Sequence, residues 1–152
     1  MSYLADTNIL VRSAQQNHPL HIETIEAVKA LLGRGESVHI FAQNIIEFWN
    51  VCTRPADKNG LGLTPQQTAT EATRLESLLS LLPDTPTIYT EWRKLVIAHS
   101  VSGVKVHDAR LVAGMQVYGI QNILTLDPRD FARYGVTVVQ PKDIKRGPQL
   151  TP

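Results

Sequence analysis

Short apolar runs alternate with helix-like stretches over nearly the whole chain, and this alternation restricts the possible folds more than any other feature of the sequence. SYLA, SVHIFA, IQNILTL and VTVVQP are predicted strands, and a further brief strand is predicted at the start of TPTIYTEWRKLVIAHSVSG. Between them, HIETIEAVKALLGRG repeats apolar residues at helical spacing. Strands that alternate with helices are typical of a mainly parallel sheet covered by helices. The sequence therefore predicts an α/β fold.

Several of the predicted helices have recognisable ends. QNIIEFWNVCTRP is expected to stop at Pro55, because the residue before a proline is biased away from helical geometry. Thr64 and Pro65 suit the cap and the first position of the next helix, whose apolar stripe continues to Pro83. KVHDARLVAGMQVYG is predicted to be a helix closed by Gly119, and DPRDFARYG a short helical turn.

Length, charge and cysteine content limit the class of protein. The 152 residues predict one domain over residues 1–143, followed by a loose tail over residues 144–152. A net charge of +1 lacks the basic footprint of a histone-like protein, so a nucleic-acid partner would need a local positive patch. The single cysteine, Cys52, lies in an apolar helical pattern and is expected to be buried and inert. With no intrachain disulfide possible and no apolar window of about 18 residues, we expect a cytoplasmic protein without membrane spans.

Four acidic residues lie next to predicted core segments, where a charged side chain is unusual. Asp6 ends the first strand, Asp127 follows NILTL, and Asp108 lies at or near the start of a helix. Glu47 lies in the helix after the second strand, among apolar neighbours. The carboxyl ends of parallel strands meet at one edge of a sheet, where ligands collect. The sequence therefore predicts an acidic cleft at that edge.

Each of these acids also has a purely structural interpretation. Asp6 and Asp108 could cap helices, Asp127 before Pro128 could open a turn, and Glu47 could pair with a nearby Arg54 or Lys29. The four together favour a site, because clustered carboxylates repel one another unless a cation lies between them. Oxygen ligands of this kind suit Mg²⁺ or Mn²⁺, and no histidine or cysteine spacing indicates zinc.

The motifs YLADTNILV, NIIEFWNV, HDARLVA and ILTLDPRDFARYGV together resemble the PIN-domain family, specifically the VapC-type ribonuclease toxins. The resemblance covers nearly the whole chain and implies a three-layer α/β/α domain. It implies that the catalytic and metal-binding acids are Asp6, Glu47, Asp108 and Asp127. It assigns supporting roles to Thr7, Asn8, Thr125 and Asp130. Asp130 is itself a candidate for the fourth acid, since TLDPRDF contains both aspartates.

The resemblance also implies an activity and partners. It implies Mg²⁺- or Mn²⁺-assisted hydrolysis of RNA phosphodiester bonds that leaves a 5′-phosphate and a 3′-hydroxyl, a small antitoxin protein that covers the site, and a homodimer. RNA needs positive charge at the rim of the cleft. The candidate RNA-binding residues are Arg12, Arg54, Lys105, Arg110 and Arg129.

Three other functions compete with this hypothesis. A phosphatase of the haloacid-dehalogenase type also begins with a strand that ends in aspartate, but it needs a second aspartate where this chain has Asn8. An RNA-processing PIN nuclease that is not a toxin stays open. A catalytically silent PIN-like RNA-binding module also stays open, although such a module has no need of four acids.

Overall fold

The computed structural model describes residues 1–145 and contains a five-stranded, wholly parallel sheet. The strands lie in the order β3-β2-β1-β4-β5. Their bounds are β1 Ser2–Ala5, β2 Ser37–Phe41, β3 Ser80–Leu82, β4 Asn122–Leu124 and β5 Thr137–Val139. β1 is therefore the central strand, and the carboxyl ends of β2 and β4 flank its own.

Helices connect the strands and cover both faces of the sheet. They are α1 Thr7–Ala14, α2 His21–Gly33, α3 Ala42–Thr53, α4 Pro65–Leu78, α5 Pro86–Ala98 and α6 Lys105–Tyr118. Short 3₁₀ turns lie at Ala56–Lys58, Pro128–Asp130, Ala132–Tyr134 and Pro141–Asp143. The three-layer α/β/α prediction is confirmed. None of the helices in residues 1–145 is both long and apolar enough to span a bilayer.

The third strand does not lie where the sequence predicted it. The helix expected to run to Pro83 ends at Leu78, and Ser80–Leu82 pairs with β2 instead. The strand predicted within TPTIY is also wrong, because α5 begins directly at Pro86. The run SLLSLLP fits both a helical stripe and a short strand, and pairing with the open edge of β2 decides between them.

Two hydrophobic clusters lie on opposite faces of the sheet. β1 contributes Tyr3 and Ala5 to one cluster and Leu4 to the other, as the alternation of side chains along a strand requires. A strand buried on both faces must be apolar throughout, which explains SYLA. On the second face α6 approaches β2 closely at Gly114, where a Cβ would lie 2.7 Å from the ring of Phe41.

The two ends of the described chain are tied to the sheet differently. β1 is paired from Ser2 onward with β2 and then with β4. Of the predicted tail over residues 144–152, Ile144 packs against the first core cluster, and residues 146–152 lie outside the described residues.

Candidate active site

Asp6 follows β1 directly and is held at the sheet edge by both neighbouring elements. Its backbone N–H donates to the carbonyl of Leu124 (2.9 Å), which extends the pairing of β1 with β4 by one residue. One carboxylate oxygen accepts from the backbone N–H of Thr7 (2.7 Å) and the other from the hydroxyl of Thr125 (2.7 Å). Asp6 therefore does cap α1, as the structural interpretation proposed, and is also fixed across the sheet edge.

Burial makes the charge of Asp6 costly. Its exposed fraction is 6%, and desolvation raises its pKa to about 6, against the opposing effect of hydrogen bonds from Thr125 and Thr7. The negative charges of Glu47 and Asp130 raise the pKa further. A carboxylate that is buried, hydrogen-bonded and surrounded by other carboxylates is typical of functional sites.

Glu47 is joined to the same cluster through Thr7. The hydroxyl of Thr7 donates to one Glu47 oxygen (2.8 Å), and the side-chain amide of Gln43 donates to the other (2.8 Å). Within residues 1–145 Glu47 has no ion pair with Arg54 or Lys29, the alternative considered from sequence. Thr7 thus links the strand that delivers Asp6 to the helix that carries Glu47.

Two residues of the site were missed by the sequence analysis. Asn44 is fully buried, accepts from the backbone N–H of Phe41 (2.8 Å) and donates to the hydroxyl of Thr7 (3.3 Å). Gln43 contacts Glu47 and also donates to the backbone carbonyl of His107 (2.7 Å), which joins α3 to α6. Both follow the end of β2, so the strand-end argument that singled out Asp6 could have found them.

Asp108 lies in the first turn of α6 and lines the same depression as Gln43 and Glu47. Its side chain is 23% exposed, and burial raises its pKa to about 7. The charge of Asp130 is the next largest cause, and the charges of Asp6 and Glu47 contribute in the same direction. Asp108, Asp6, Glu47 and Asp130 are therefore electrostatic neighbours.

The two candidates for the fourth acid have different surroundings. Asp130 is 21% exposed and forms an ion pair with Lys105, whose ammonium also lies 4.0 Å from Asp108. This ion pair is the main cause of a raised Lys105 pKa. Asp127 is exposed, and its backbone N–H donates to the hydroxyl of Thr125 (3.0 Å). The described contacts therefore bring Asp130 closer to the acidic cluster than Asp127.

Asn8 and Thr125 connect α1 to the segment after β4. The side-chain amide of Asn8 donates to the hydroxyl of Thr125 (3.2 Å) and its oxygen accepts from the backbone N–H of Leu126 (3.2 Å). Thr125 is fully buried, and its own hydroxyl proton goes to Asp6. These bonds fix the carboxylate of Asp6 and the start of the loop that carries Asp127.

The donor set suits a hard divalent cation, but two of the carboxylates, those of Asp108 and Asp130, lie beside an ammonium group. Over residues 1–145 no three Asp, Glu, His or Cys side chains come together as a metal-binding group. Lys105 lies between Asp108 and Asp130, where a cation would relieve the repulsion. The carboxylate oxygens and the raised pKa values of Asp6 and Asp108 fit such a cation chemically. Its binding would require the contact of Lys105 with Asp130 to rearrange.

The predicted basic residues fall into two groups. Lys105 and Arg110 line the acidic cleft, a depression of ≈ 650 Å³, and Arg110 contacts Gln43 (3.1 Å) and Asp84 (3.5 Å). Arg12 and Arg54 line a second cleft beside Thr7 and Asn8. Arg129 is exposed on the turn between the two candidate aspartates.

Cys52 is buried away from this chemistry. Its thiol belongs to the first hydrophobic cluster, and burial raises its pKa to about 11. A thiol that stays protonated is a poor nucleophile, so the expectation of an inert cysteine is confirmed.

The sequence also matches a known protein family. The model of the PIN domain matches residues 3–136. The chain belongs to the PIN-domain family. No curated protein matches the sequence.

Several solved structures share the fold of this chain. VapBC2 from Rickettsia felis, bound to a promoter DNA fragment, matches with a TM-score of 0.66 at 14% identity, over 92% of this chain and 98% of that one. VapC20 from Mycobacterium tuberculosis, a toxin that cleaves the sarcin-ricin loop, matches with 0.64 at 18%, over 87% and 95%. FitAcB from Neisseria gonorrhoeae matches with 0.63 at 20%, over 92% and 98%. At these identities the likeness establishes the fold.

Proposed function

We propose that this PIN-domain protein is a divalent-metal-dependent endoribonuclease. The observation that carries the proposal is that acids near the carboxyl edge of a parallel sheet act on one another: the charge of Glu47 raises the pKa of both Asp6 and Asp108, which reach about 6 and about 7. Buried acids with raised pKa values destabilise the folded protein when they are charged. A site that binds a cation and hydrolyses phosphodiesters explains why the chain has them.

In the proposed chemistry the acids hold a cation, and one of them also accepts a proton. Mg²⁺ or Mn²⁺, when bound, lowers the pKa of a water molecule and polarises a phosphoryl oxygen. Asp6 and Asp108 would hold the cation together with Glu47 and the fourth acid. Glu47 is fixed by Thr7 and Gln43, and a carboxylate fixed in this way can accept the proton of the attacking water.

We assign the fourth acidic position to the pair Asp127 and Asp130, with Asp130 nearer to the reacting phosphate. Its charge raises the pKa of both Asp6 and Asp108, whereas Asp127 is exposed. Asp130→Asn is therefore expected to reduce RNA cleavage more than Asp127→Asn in metal titrations. The reverse order would return the ligand role to Asp127, the assignment made from sequence.

Cleavage of a structured RNA with Mg²⁺, with Mn²⁺ or with a chelator tests the proposed activity. Asp6→Asn and Asp108→Asn should each reduce cleavage by orders of magnitude, because they remove the charge that holds the cation. Asp143→Asn, a charge-matched change at an exposed 3₁₀ turn, should cleave like the wild type. Full activity of Asp6→Asn, or cleavage that persists in chelator, would contradict the proposal.

We further propose that the nuclease is the cytoplasmic toxin of a toxin-antitoxin pair and acts as a homodimer. Support comes from the VapBC and FitAcB complexes that share its fold. An apolar groove of ≈ 230 Å³ between α1, α2 and α4, lined by Ile9, Ile25 and Leu75, suits an apolar antitoxin segment.

Expression in a bacterial host tests the toxin role. Wild-type protein should arrest growth and Asp6→Asn should not. We expect a short reading frame next to the gene, and its co-expression should restore growth. A wild-type protein that cleaves RNA in vitro but leaves growth unchanged would favour an RNA-processing nuclease instead.

A further inference from the structure

A second cleft lies beside the acidic site, on the other side of the start of α1. It has a volume of ≈ 580 Å³ and is bounded by α1, the end of α3 and the loop over residues 55–61. Its lining includes Thr7, Asn8, Arg12 and Arg54, and no carboxylate belongs to it among residues 1–145. The acidic cleft and this basic cleft are therefore neighbours of opposite charge.

The guanidinium groups of Arg12 and Arg54 have no carboxylate partner among residues 1–145. Elsewhere in residues 1–145, Arg74, Lys94, Lys105 and Arg110 each have a carboxylate within 4.0 Å, but neither arginine of this cleft does. The Nε atoms of both are shielded from solvent and have no hydrogen-bond partner within residues 1–145. A buried N–H without an acceptor costs free energy, so a ligand that supplies oxygen atoms removes this cost.

The shape of the cleft is held by hydrogen bonds within its own walls. Arg12 is positioned by a hydrogen bond from its Nη1 to the side chain of Gln15 (2.5 Å). The backbone carbonyl of Arg54 accepts from the N–H of Gly62 (2.9 Å), which folds the loop back over the end of α3. Gly60 lies so close that a Cβ there would be 2.0 Å from the same carbonyl. The wall of the cleft is therefore a packed loop.

The residues that line this cleft are directly bonded to the acidic cluster. The hydroxyl of Thr7 donates to Glu47, and Asn8 donates to Thr125, which in turn donates to Asp6. When one phosphodiester of an RNA strand lies at the acids, the neighbouring phosphates of the RNA lie a short distance away along the strand. The basic cleft borders this part of the strand on one side.

Resting on the proposed ribonuclease function, we propose that Arg12 and Arg54 together bind one backbone phosphate of the RNA next to the phosphodiester that is cut. Arginine binds phosphate through paired N–H groups, and Nε with a neighbouring Nη forms one such pair. A site of this kind holds a polyanion against the repulsion of the acids, which a net charge of +1 cannot do by itself.

Inorganic phosphate is the first probe, and NMR of the arginine Nε–H groups of the full chain in chelator is the first readout. The signals of Arg12 and Arg54 are assigned by their absence from the spectra of Arg12→Gln and Arg54→Gln. Millimolar phosphate should move both signals. The signal of Arg93, which is exposed on α5, should stay in place. If phosphate leaves both signals unmoved, the proposal is wrong. If an oligoglutamate peptide moves them and phosphate and RNA do not, the cleft binds an acidic protein segment and the proposal is also wrong.

Binding of a short single-stranded RNA in chelator, measured as a function of salt, is the second readout. Arg12→Gln and Arg54→Gln should each weaken binding about tenfold, the size of one charge-assisted hydrogen bond, while Arg93→Gln should bind like the wild type. The slope of log K against log salt should decrease by about 0.7 in the double variant, which loses one neutralised phosphate, and by less in either single variant, because the arginine that is left still contacts that phosphate. A decrease of about 1.4 in the double variant would contradict the shared phosphate.

Kinetics separate this proposal from the proposed function. With Mg²⁺, the two variants should raise KM for RNA and leave kcat nearly unchanged, because neither arginine contacts the acids. Cleavage by the double variant with the KM of Arg93→Gln would overturn the phosphate site and leave the ribonuclease intact. If the wild type cleaves no RNA with any divalent cation while phosphate still moves both arginine signals, the ribonuclease proposal falls and the assignment of the site to RNA falls with it.

Discussion

Replacing Asp6 by asparagine should stabilise the metal-free protein at neutral pH, although it removes a residue that we place at the centre of the site. Burial raises the pKa of Asp6 from 3.8 to about 6, so the folded state binds a proton more tightly than the unfolded state does. The charged form is therefore the unfavourable one in the folded protein. Asparagine keeps the shape and removes that charge.

The size of the effect follows from the pKa shift and from the two hydrogen bonds to Asp6. Raising the pKa of Asp6 from 3.8 to about 6 costs the charged protein about 3 kcal/mol of folding free energy well above pH 6. Asparagine has one acceptor oxygen where the carboxylate has two, so it keeps one of the bonds from Thr7 and Thr125 and loses about 1 kcal/mol with the other. The net gain at pH 7.5 is about 2 kcal/mol.

The gain should depend on pH with a definite sign. The folded pKa lies above the unfolded one, so the penalty is complete above about pH 6 and disappears as the pH falls toward 3.8. At pH 4.5 about 1 kcal/mol of the penalty is left, which the lost hydrogen bond cancels. Wild type and Asp6→Asn should then be about equally stable.

Urea unfolding in chelator at pH 7.5 and pH 4.5 measures this difference, with Asp143→Asn as the control for a charge change at an exposed position. The control should shift stability by less than about 0.5 kcal/mol at either pH. An Asp6→Asn protein that is less stable than the wild type at pH 7.5, or whose advantage is the same at both pH values, would refute the reasoning.

Three further predictions follow from the same structure. Mn²⁺ at 100 times its Kd should stabilise the wild type by about 2.7 kcal/mol in thermal unfolding, and should leave Asp108→Asn nearly unchanged. Lys105→Met should tighten Mn²⁺ binding about twofold to fivefold in titrations followed by electron paramagnetic resonance, because it removes a partly exposed ion pair with Asp130. Gly114→Ala should cost about 1–3 kcal/mol in urea unfolding, because its Cβ would collide with Phe41, whereas Gly33→Ala, which has open space, should cost nothing.

The central strand and the acids at its end could be predicted because local and tertiary requirements coincide there. SYLA is apolar on both faces, as a central strand must be, and Asp6 follows immediately, where a parallel sheet presents its ligand-binding edge. Asp108 was predictable for a related reason, since it lies in the first turn of a helix that follows a loop. Position along the chain and residue type were enough in both cases.

The positions of Gln43 and Asn44 after a strand end could be predicted, but the contacts that they make could not be predicted from local sequence. Gln43 and Asn44 are polar residues at a helix start, a position where polar residues usually serve as caps. Asn44 does bond the backbone of Phe41, but its amide also reaches Thr7, 37 residues earlier in the chain. Only the packing of α3 against α1 brings them together. β3 was missed for a similar reason, because the free edge of β2 is not visible in the run SLLSLLP.

The choice between Asp127 and Asp130 depends on a residue far from both in sequence. They are three residues apart across a 3₁₀ turn, and side chains with this spacing lie on the same side of such a turn. Spacing therefore cannot rank them, and both charges act on Lys105. The two aspartates differ in solvent exposure. Lys105, at the start of α6, forms its ion pair with Asp130, the less exposed of the two. A cation that replaced this ammonium would contact Asp130 first. If Asp130 is the ligand, Lys105→Met should leave the order of the Asp127→Asn and Asp130→Asn variants unchanged. If Lys105 alone distinguishes the two aspartates, Lys105→Met should make the two variants equally active.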